Sequence, residues 1–366
     1  MTPSGRSSLP NPHAEQAAPA EFERGDTTVD LTPLLKHLLA GHTLTSEQTG
    51  DAFEAMMTGR VHHGEIGALL ALLATRTPTP AEILGAAQVM RRHVDPVPSS
   101  VDPAQLVDTA GTGGAPKTFN VSTAAAIVAA GAGAVVAKHG NRSRTGRGSA
   151  EVLRAIGVDV DAGRDVQRRC LEEAGVCFCF AIHHHPATRH VMPVRLALGF
   201  PTIFNLLGPL TNPAGARRQL MGVYHGRFVT PIAEALAALG TIRGLVVHSA
   251  DGLDEVSISA ETRVAHVEGG RVTEEVIHPD AFGLATAPRE SVVARDLDHA
   301  AAMIRGVIDG SERGAPRAMT LLNAAATLLA AGIARSYAEG MTQAVASIDE
   351  GQAATRLKRL VAISAA

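Results

Sequence analysis

The sequence predicts an α/β protein: a small all-helical domain followed by a large α/β domain with a central, mostly parallel sheet. Three observations predict it. Apolar residues between positions 29 and 94 recur at helical spacing with no strand signal. From residue 105 onward, short β-branched runs alternate with helical stretches, the pattern of βαβ units. Hydrophobic residues make up 45% of the 366 residues, but aromatics only 3%, with 36 Gly and no Trp. A core of closely packed Ala, Val, Leu and Ile suits that composition.

Residues 1–26 are rich in Pro, Ser, Ala and Glu without periodicity, which predicts a disordered tail. Leu31, Leu34, Leu35, Leu38 and Leu39 then share one helical face. Thr45-Ser-Glu-Gln reads as a cap for a second helix through Ala52, Phe53, Ala55 and Met56. Residues 65–74 form a third, alanine-rich helix, and Pro80 suits the first turn of a fourth. Beyond them, 105–109 reads as a strand, 122–132 as a helix and 134–137 as a strand. A helix over 149–156 and a strand over 158–160 follow. Residues 176–182 and 244–248 read as buried strands, and 253–282 as a β meander with a Gly-Gly turn. The stretch 186–212 and the last 80 or so residues are helix-rich. The expected division is a helical domain over 27–100, to which 186–212 adds helices, and an α/β domain over 101–185 and 213–366.

Charge and cysteine content exclude several function classes. With 33 Lys and Arg against 36 Asp and Glu, there is no basic excess of the kind nucleic acid demands. Few aromatic platforms exist for stacking bases. Cys170, Cys177 and Cys179 make no disulfide framework and suit a reducing, cytoplasmic compartment. No run approaches the ~20 apolar residues of a membrane span, and residues 1–20 lack the apolar segment of a secretory signal.

Four segments carry the chemistry. Asp108-Thr-Ala-Gly111-Thr112-Gly113-Gly114 follows a strand and leads through Asn120, Ser122 and Thr123 into a helix N-terminus. Such a loop either presents backbone N–H groups to a phosphate or is simply a tight strand–turn–helix connection. It matches neither the Walker pattern nor G-x-G-x-x-G. Lys138-His139-Gly140-Asn141-Arg142 and the hydroxyl- and Gly-rich run to Ser149 lie at the next strand's C-terminal end. Parallel sheets bind ligands there, although a solvated basic loop has the same composition. His183-His-His185-Pro186-Ala-Thr-Arg189-His190 is histidine-rich, yet no Cys or Glu stands at zinc spacing. Arg195, in the apolar run that follows, calls for an anionic partner, either a substrate carboxylate or an internal acid. Asp254-Glu255, just after the strand at 244–248, offers carboxylates of the kind that hold Mg²⁺ beside phosphate.

Taken together, GTGG (111–114), TFNVST (118–123), KHGNR (138–142), GSAEVLRAIGV (148–158), the long run 184–213 and DGLDEVS (251–257) resemble the anthranilate phosphoribosyltransferases. The resemblance extends over roughly 29–364. It implies a homodimer built through the helical domain and two small-molecule substrates, phosphoribosyl pyrophosphate (PRPP) and anthranilate. It further implies that Gly111, Thr112, Gly113, Gly114, Asn120, Ser122, Thr123, Lys138 and Ser149 hold PRPP. Asn141, Arg195, His139 and Pro186 would meet anthranilate. Ser122, Asp254 and Glu255 would bind Mg²⁺, with two ions implied. No general base is assigned.

The chain departs from the family pattern in two loops. The family continues GTGG with an Asp, whereas here Ala115-Pro116-Lys117 follows and the loop is one residue shorter. The second loop, Ser143-Arg-Thr-Gly-Arg147, is also one shorter, and Glu151 stands for the usual Asp. Lys117, Arg144 and Arg147 add positive charge on the donor side. A phosphoribosyltransferase with another aromatic acceptor or an altered donor, or a non-catalytic relative that binds nucleotide or nucleic acid, is the alternative expectation.

Overall fold

The computed structural model describes residues 28–143 and 146–366; the N-terminal tail and Arg144 lie outside the described residues. Four helices come first: α1 (Thr32–Leu39), α2 (Ser46–Met57), α3 (His63–Ala74) and α4 (Pro80–Arg92). The starts of α2 and α4 are set by capping boxes. Thr45 accepts from the Gln48 N–H while Gln48 reaches back to Thr45, and Thr79 and Glu82 do the same. Helices α2 and α4 approach closely because residue 85 is Gly: a Cβ there would lie 2.1 Å from the Ser46 carbonyl oxygen.

A seven-stranded sheet follows. Its strands are β1 (Leu106–Gly111), β2 (Val135–Gly140), β3 (Val176–Phe180), β4 (Arg218–Gly222), β5 (Arg243–Ser249), β6 (Thr262–Glu268) and β7 (Arg271–Ile277). Their order is β3-β2-β1-β4-β5-β6-β7. The first five are parallel, and β6 and β7 are antiparallel additions. Helix α5 (Val121–Gly131) crosses from β1 to β2, and α6 (Ser149–Ala155) opens the connection from β2 to β3.

Side-chain alternation sends β4, β5 and β6 into two cores. Leu220, Leu245, Val247 and Val264 join one with α5 and the C-terminal helices. Met221, Val246, Ala265 and Val267 join the other, with α1–α4, Ile203–Leu207 and the helix Val229–Ala238. The helical unit and the segment around 191–210 thus share a core with one face of the sheet. Among the described residues, no helix is long and apolar enough to cross a membrane.

Three expectations change. Residues 158–160 form no strand: Val158 and Val160 are buried, but the Asp159 N–H donates to the Ser364 hydroxyl and β3 already closes that edge. Both valines instead join the core that the sheet shares with its covering helices. The meander begins only at Thr262, after a loop, although its Gly269-Gly270 turn has the positive φ values (57° and 77°) that such a hairpin requires. Strand β4, beside β1 in the middle of the sheet, goes unpredicted because it opens with Arg218 and Gln219. Both find backbone acceptors: Arg218 Nε donates to the Ala104 carbonyl at 2.7 Å, and Gln219 Nε2 to the Pro209 carbonyl at 2.6 Å.

Candidate active site

The C-terminal ends of β1 and β2 and the loop after β5 converge. In β1, buried Asp108 accepts from the His139 N–H at 2.9 Å, fixing where β2 ends relative to β1. Burial pushes the Asp108 carboxyl up to about 6, against the pull of Asn212, the His139 N–H and Lys138. The glycine loop then leaves the sheet. Its Thr112 N–H donates to the Gly222 carbonyl at 2.9 Å, and its hydroxyl accepts from the Tyr224 N–H at 3.0 Å. Thr112 therefore ties the loop to β4 rather than facing solvent.

Gly113 and Gly114 have φ of 65° and 95°, a turn that only glycine makes at low cost. Asn120, just before α5, has φ of 70° and is the one non-glycine residue with positive φ among those described. Its side chain donates to the Arg147 carbonyl at 2.9 Å, which joins the first loop to the second.

Lys138 in β2 is buried, and its ammonium group donates to the Thr109 carbonyl at 2.7 Å and to the Ser122 hydroxyl at 3.2 Å. Burial lowers its pKa to about 8, opposed by the negative charges of Asp108, Glu255 and Asp254. A cation thus stands directly under the N-terminus of α5. Thr123, in that same first turn, has a buried hydroxyl with no hydrogen-bond partner among the described residues. Ser149 opens α6, and its hydroxyl donates to the Asn141 carbonyl at 3.3 Å. Glu151 accepts from the Gly148 N–H at 2.9 Å, so the residue that replaces the family's Asp fastens the start of α6.

Asp254 and Glu255 come from the loop after β5. Thr118 donates to the Glu255 carboxylate at 3.0 Å. Asp254 is seated over two glycines: a Cβ at Gly111 would lie 2.6 Å from its carboxylate, and one at Gly222 1.7 Å from its carbonyl oxygen. Burial raises the pKa of Asp254. Burial and the neighbouring Asp254 charge raise that of Glu255 to about 8, although the Ser122 N–H pulls it down. Two crowded carboxylates and the Ser122 hydroxyl form an all-oxygen donor set, which fits Mg²⁺. No group of three or more His, Cys, Asp or Glu that could hold a metal occurs among the described residues. A cation here would complete its shell with water and phosphate oxygens.

Arg195 lies in the helix Met192–Leu198, with its guanidinium 4.9 Å from the centre of the Phe204 ring. Phe204 packs in turn on Phe53 of α2. Pro186 begins a short 3₁₀ turn and is exposed. His139 is buried and meets His185, with the two Nε2 atoms 3.2 Å apart. The structure thus brings together Gly111, Ser122, Lys138, Asp254 and Glu255, and links Asn120, Asn141 and Ser149 through the second loop. Arg195 comes from a separate helix. Sequence reasoning missed Asp108, Thr109, Thr118, Tyr224 and His185 as supports; Asp108 and Thr109 stood unremarked inside the first motif.

A phosphate-type glycine loop, a buried lysine and paired carboxylates at the carboxyl ends of parallel strands make a site suited to a phosphorylated ligand. Residues 103–354 match the family described as "Glycosyl transferase family, a/b domain", and residues 32–94 match "Glycosyl transferase family, helical bundle domain". The chain is 47% identical over 336 residues to the anthranilate phosphoribosyltransferase of Rubrobacter xylanophilus, covering 91% of this chain and 97% of that one. The crystal structure of the enzyme from Thermus thermophilus matches with a TM-score of 0.85 and 41% identity, over 91% of this chain and 99% of that one. The enzyme from Saccharomyces cerevisiae, solved in complex with PRPP and Mg, matches with a TM-score of 0.82 and 26% identity, over 92% and 98%. The chain belongs to the anthranilate phosphoribosyltransferase family.

Proposed function

We propose that the chain transfers the phosphoribosyl group of PRPP to the amine of anthranilate, yielding N-(5-phosphoribosyl)anthranilate and pyrophosphate for tryptophan biosynthesis. The observation that carries this reading is the convergence of Lys138, Ser122, Asp254 and Glu255 at the N-terminus of α5. The free N–H groups of the glycine loop and the start of α5 receive the pyrophosphate, with Thr112 fastened to β4 behind them and Asn120, Thr123 and Ser149 at the rim. Lys138 exchanges its Thr109 and Ser122 partners for donor oxygens. Asp254, Glu255 and Ser122 hold Mg²⁺, two ions being proposed, which supply positive charge against the departing pyrophosphate.

Arg195 pairs with the anthranilate carboxylate, while Asn141, His139 and Pro186 border the ring. The arylamine is uncharged near neutral pH, so its nitrogen lone pair is free to attack the ribose C1. The transition state resembles an oxocarbenium ion. Catalysis therefore rests on orientation and on fixed dipoles around the leaving group.

The domains are read as 27–100 with 186–212 for the helical unit and 101–185 with 213–366 for the catalytic one. Exposed Leu39, Met192, Leu196 and Phe200 support a homodimer through the helical unit. Three buried free cysteines suit a cytoplasmic enzyme. The test is loss of anthranilate fluorescence when PRPP and Mg²⁺ are added, repeated on Asp254→Ala and over a panel of aromatic acceptors. Folded protein that leaves anthranilate untouched, or that prefers another acceptor, overturns the reading.

A further inference from the structure

The function proposed above asks Arg195 to meet a flat carboxylate, yet its own helix does little to aim it. Met192–Leu198 has 7 residues, of which Val194 alone is buried, while Met192 and Leu196 are 39% and 67% exposed. Val194 rests on α3, where a Cβ added at Gly67 would touch it at 3.6 Å. Arg195 itself is half-buried. A long arginine side chain on so short a helix has many rotamers to choose from, and ordering it costs conformational entropy.

Phe204 supplies the constraint that the helix lacks. The Arg195 guanidinium carbon lies over the Phe204 ring, 4.9 Å from its centre, inside the ~6 Å reach of a cation–π contact. The ring is itself fixed. Phe204 is 5% exposed and packs on fully buried Phe53 of α2, with ring centres 5.3 Å apart and planes tilted by 39°. Its helix, Ile203–Leu207, starts from a doubly tied residue. The Thr202 N–H donates to the Asn205 side-chain oxygen at 3.1 Å, and the Asn205 N–H donates to the Thr202 carbonyl at 2.9 Å. Ile203, Leu206 and Leu207 are buried in the core that contains α1–α4.

The geometry of a guanidinium gives this contact a directional meaning. All five N–H donors lie in the guanidinium plane and point outward from its edge. A ring beneath the cation therefore holds it without using up those donors, and the edge stays available for a planar, two-oxygen partner. We propose that Phe204, backed by Phe53, is a positioning residue that orients the Arg195 guanidinium for bidentate capture of the acceptor carboxylate. It thereby favours carboxylated arylamines over arylamines that lack the group. This rests on the function proposed above. Phe204 acts through Arg195, and acceptor recognition is referenced to the helical unit through Phe53. The donor side, built on β1, β2 and the loop after β5, has no part in the stack.

The experiment is a double-mutant cycle on the full-length chain. Phe204→Leu keeps an apolar side chain and removes the ring. KM for anthranilate should rise roughly 10-fold, the scale of a partly desolvated cation–π contact. KM for PRPP, and kcat at saturating anthranilate, should keep their wild-type values. In an Arg195→Ala background the same substitution should change KM for anthranilate by less than about 2-fold, because no guanidinium remains to be oriented. A purely structural role for Phe204 would move KM alike in both backgrounds.

A wild-type KM for anthranilate in Phe204→Leu, an equal rise in both backgrounds, or an equal rise in KM for PRPP overturns the proposal. If Phe204→Leu does not fold, the same cycle with Phe204→Met decides it by the same outcomes. Arg195→Ala with an unchanged KM for anthranilate overturns the role given to Arg195 and this proposal with it. Wild-type enzyme that leaves anthranilate untouched overturns the proposed function itself, a result distinct from all of these.

Discussion

Replacing Gly222 by Ala tests whether the position of the acidic loop depends on an absent side chain. Gly222 ends β4, and a Cβ there would lie 1.7 Å from the Asp254 carbonyl oxygen and 2.5 Å from its carbonyl carbon. Ordinary contact begins near 3.4 Å, so the loop must retreat by more than 1 Å. It cannot do so by rotating a flexible side chain, because the atoms met first are backbone. Asp254 and Glu255 would move with it, and a displacement near 1 Å at a reacting centre costs on the order of 100-fold in rate. Gly222→Ala should therefore lose about 100-fold in kcat/KM for PRPP and need more Mg²⁺ for half-maximal activity, as read by anthranilate fluorescence. Gly67→Ala is the control: it lies within α3, and its Cβ would meet only Val194 at an ordinary 3.6 Å. It should keep full activity and melt at the same temperature or slightly higher. Gly222→Ala with wild-type kcat/KM and an unchanged Mg²⁺ midpoint would refute the reasoning.

Arg195→Ala should raise KM for anthranilate by roughly 10- to 100-fold, the cost of one charge-assisted hydrogen bond, and leave KM for PRPP unchanged in steady-state kinetics. Lys138→Met keeps the buried stem but removes the ammonium, and should raise KM for PRPP at least about 10-fold with little change for anthranilate. Asp108→Asn tests pH linkage through chemical denaturation. The folded chain holds a proton on Asp108 up to about pH 6, the unfolded chain only up to about 3.8. Wild-type stability from this group is therefore fully present below pH 3.8 and is lost as pH rises through 6. Relative to wild type, Asp108→Asn should gain stability between pH 4 and pH 7, by up to about 3 kcal/mol; a constant difference across that range excludes the linkage.

The helical unit and the glycine loop were legible because their signals are local. Capping boxes at Thr45 and Thr79, Pro80 at a helix start and three glycines between strand and helix each act within a few residues. Strand β4 was not legible, since Arg218 and Gln219 look solvent-facing until Ala104 and Pro209 supply their acceptors. Val158 and Val160 misled for the opposite reason: they are buried, but outside the pairing of the sheet. In the site, the residue types of Lys138, Asp254 and Glu255 suggested anion and metal chemistry. The roles of Asp108 and His185 depend on partners 31 and 46 positions away, and no spacing in the sequence announces those.

The seat of Asp254 on glycines of β1 and β4 has a consequence for how the protein matures. Those strands are neighbours in the sheet, yet Gly111 and Gly222 lie far apart along the chain. The acidic loop finds its place only when both strands are paired, so under the proposed function metal and donor would meet a sheet whose centre is already complete. Ligand that binds only this assembled state stabilises it by mass action. PRPP with Mg²⁺ should then act as a pharmacological chaperone, raising the melting temperature and slowing proteolysis of the segment that carries β4.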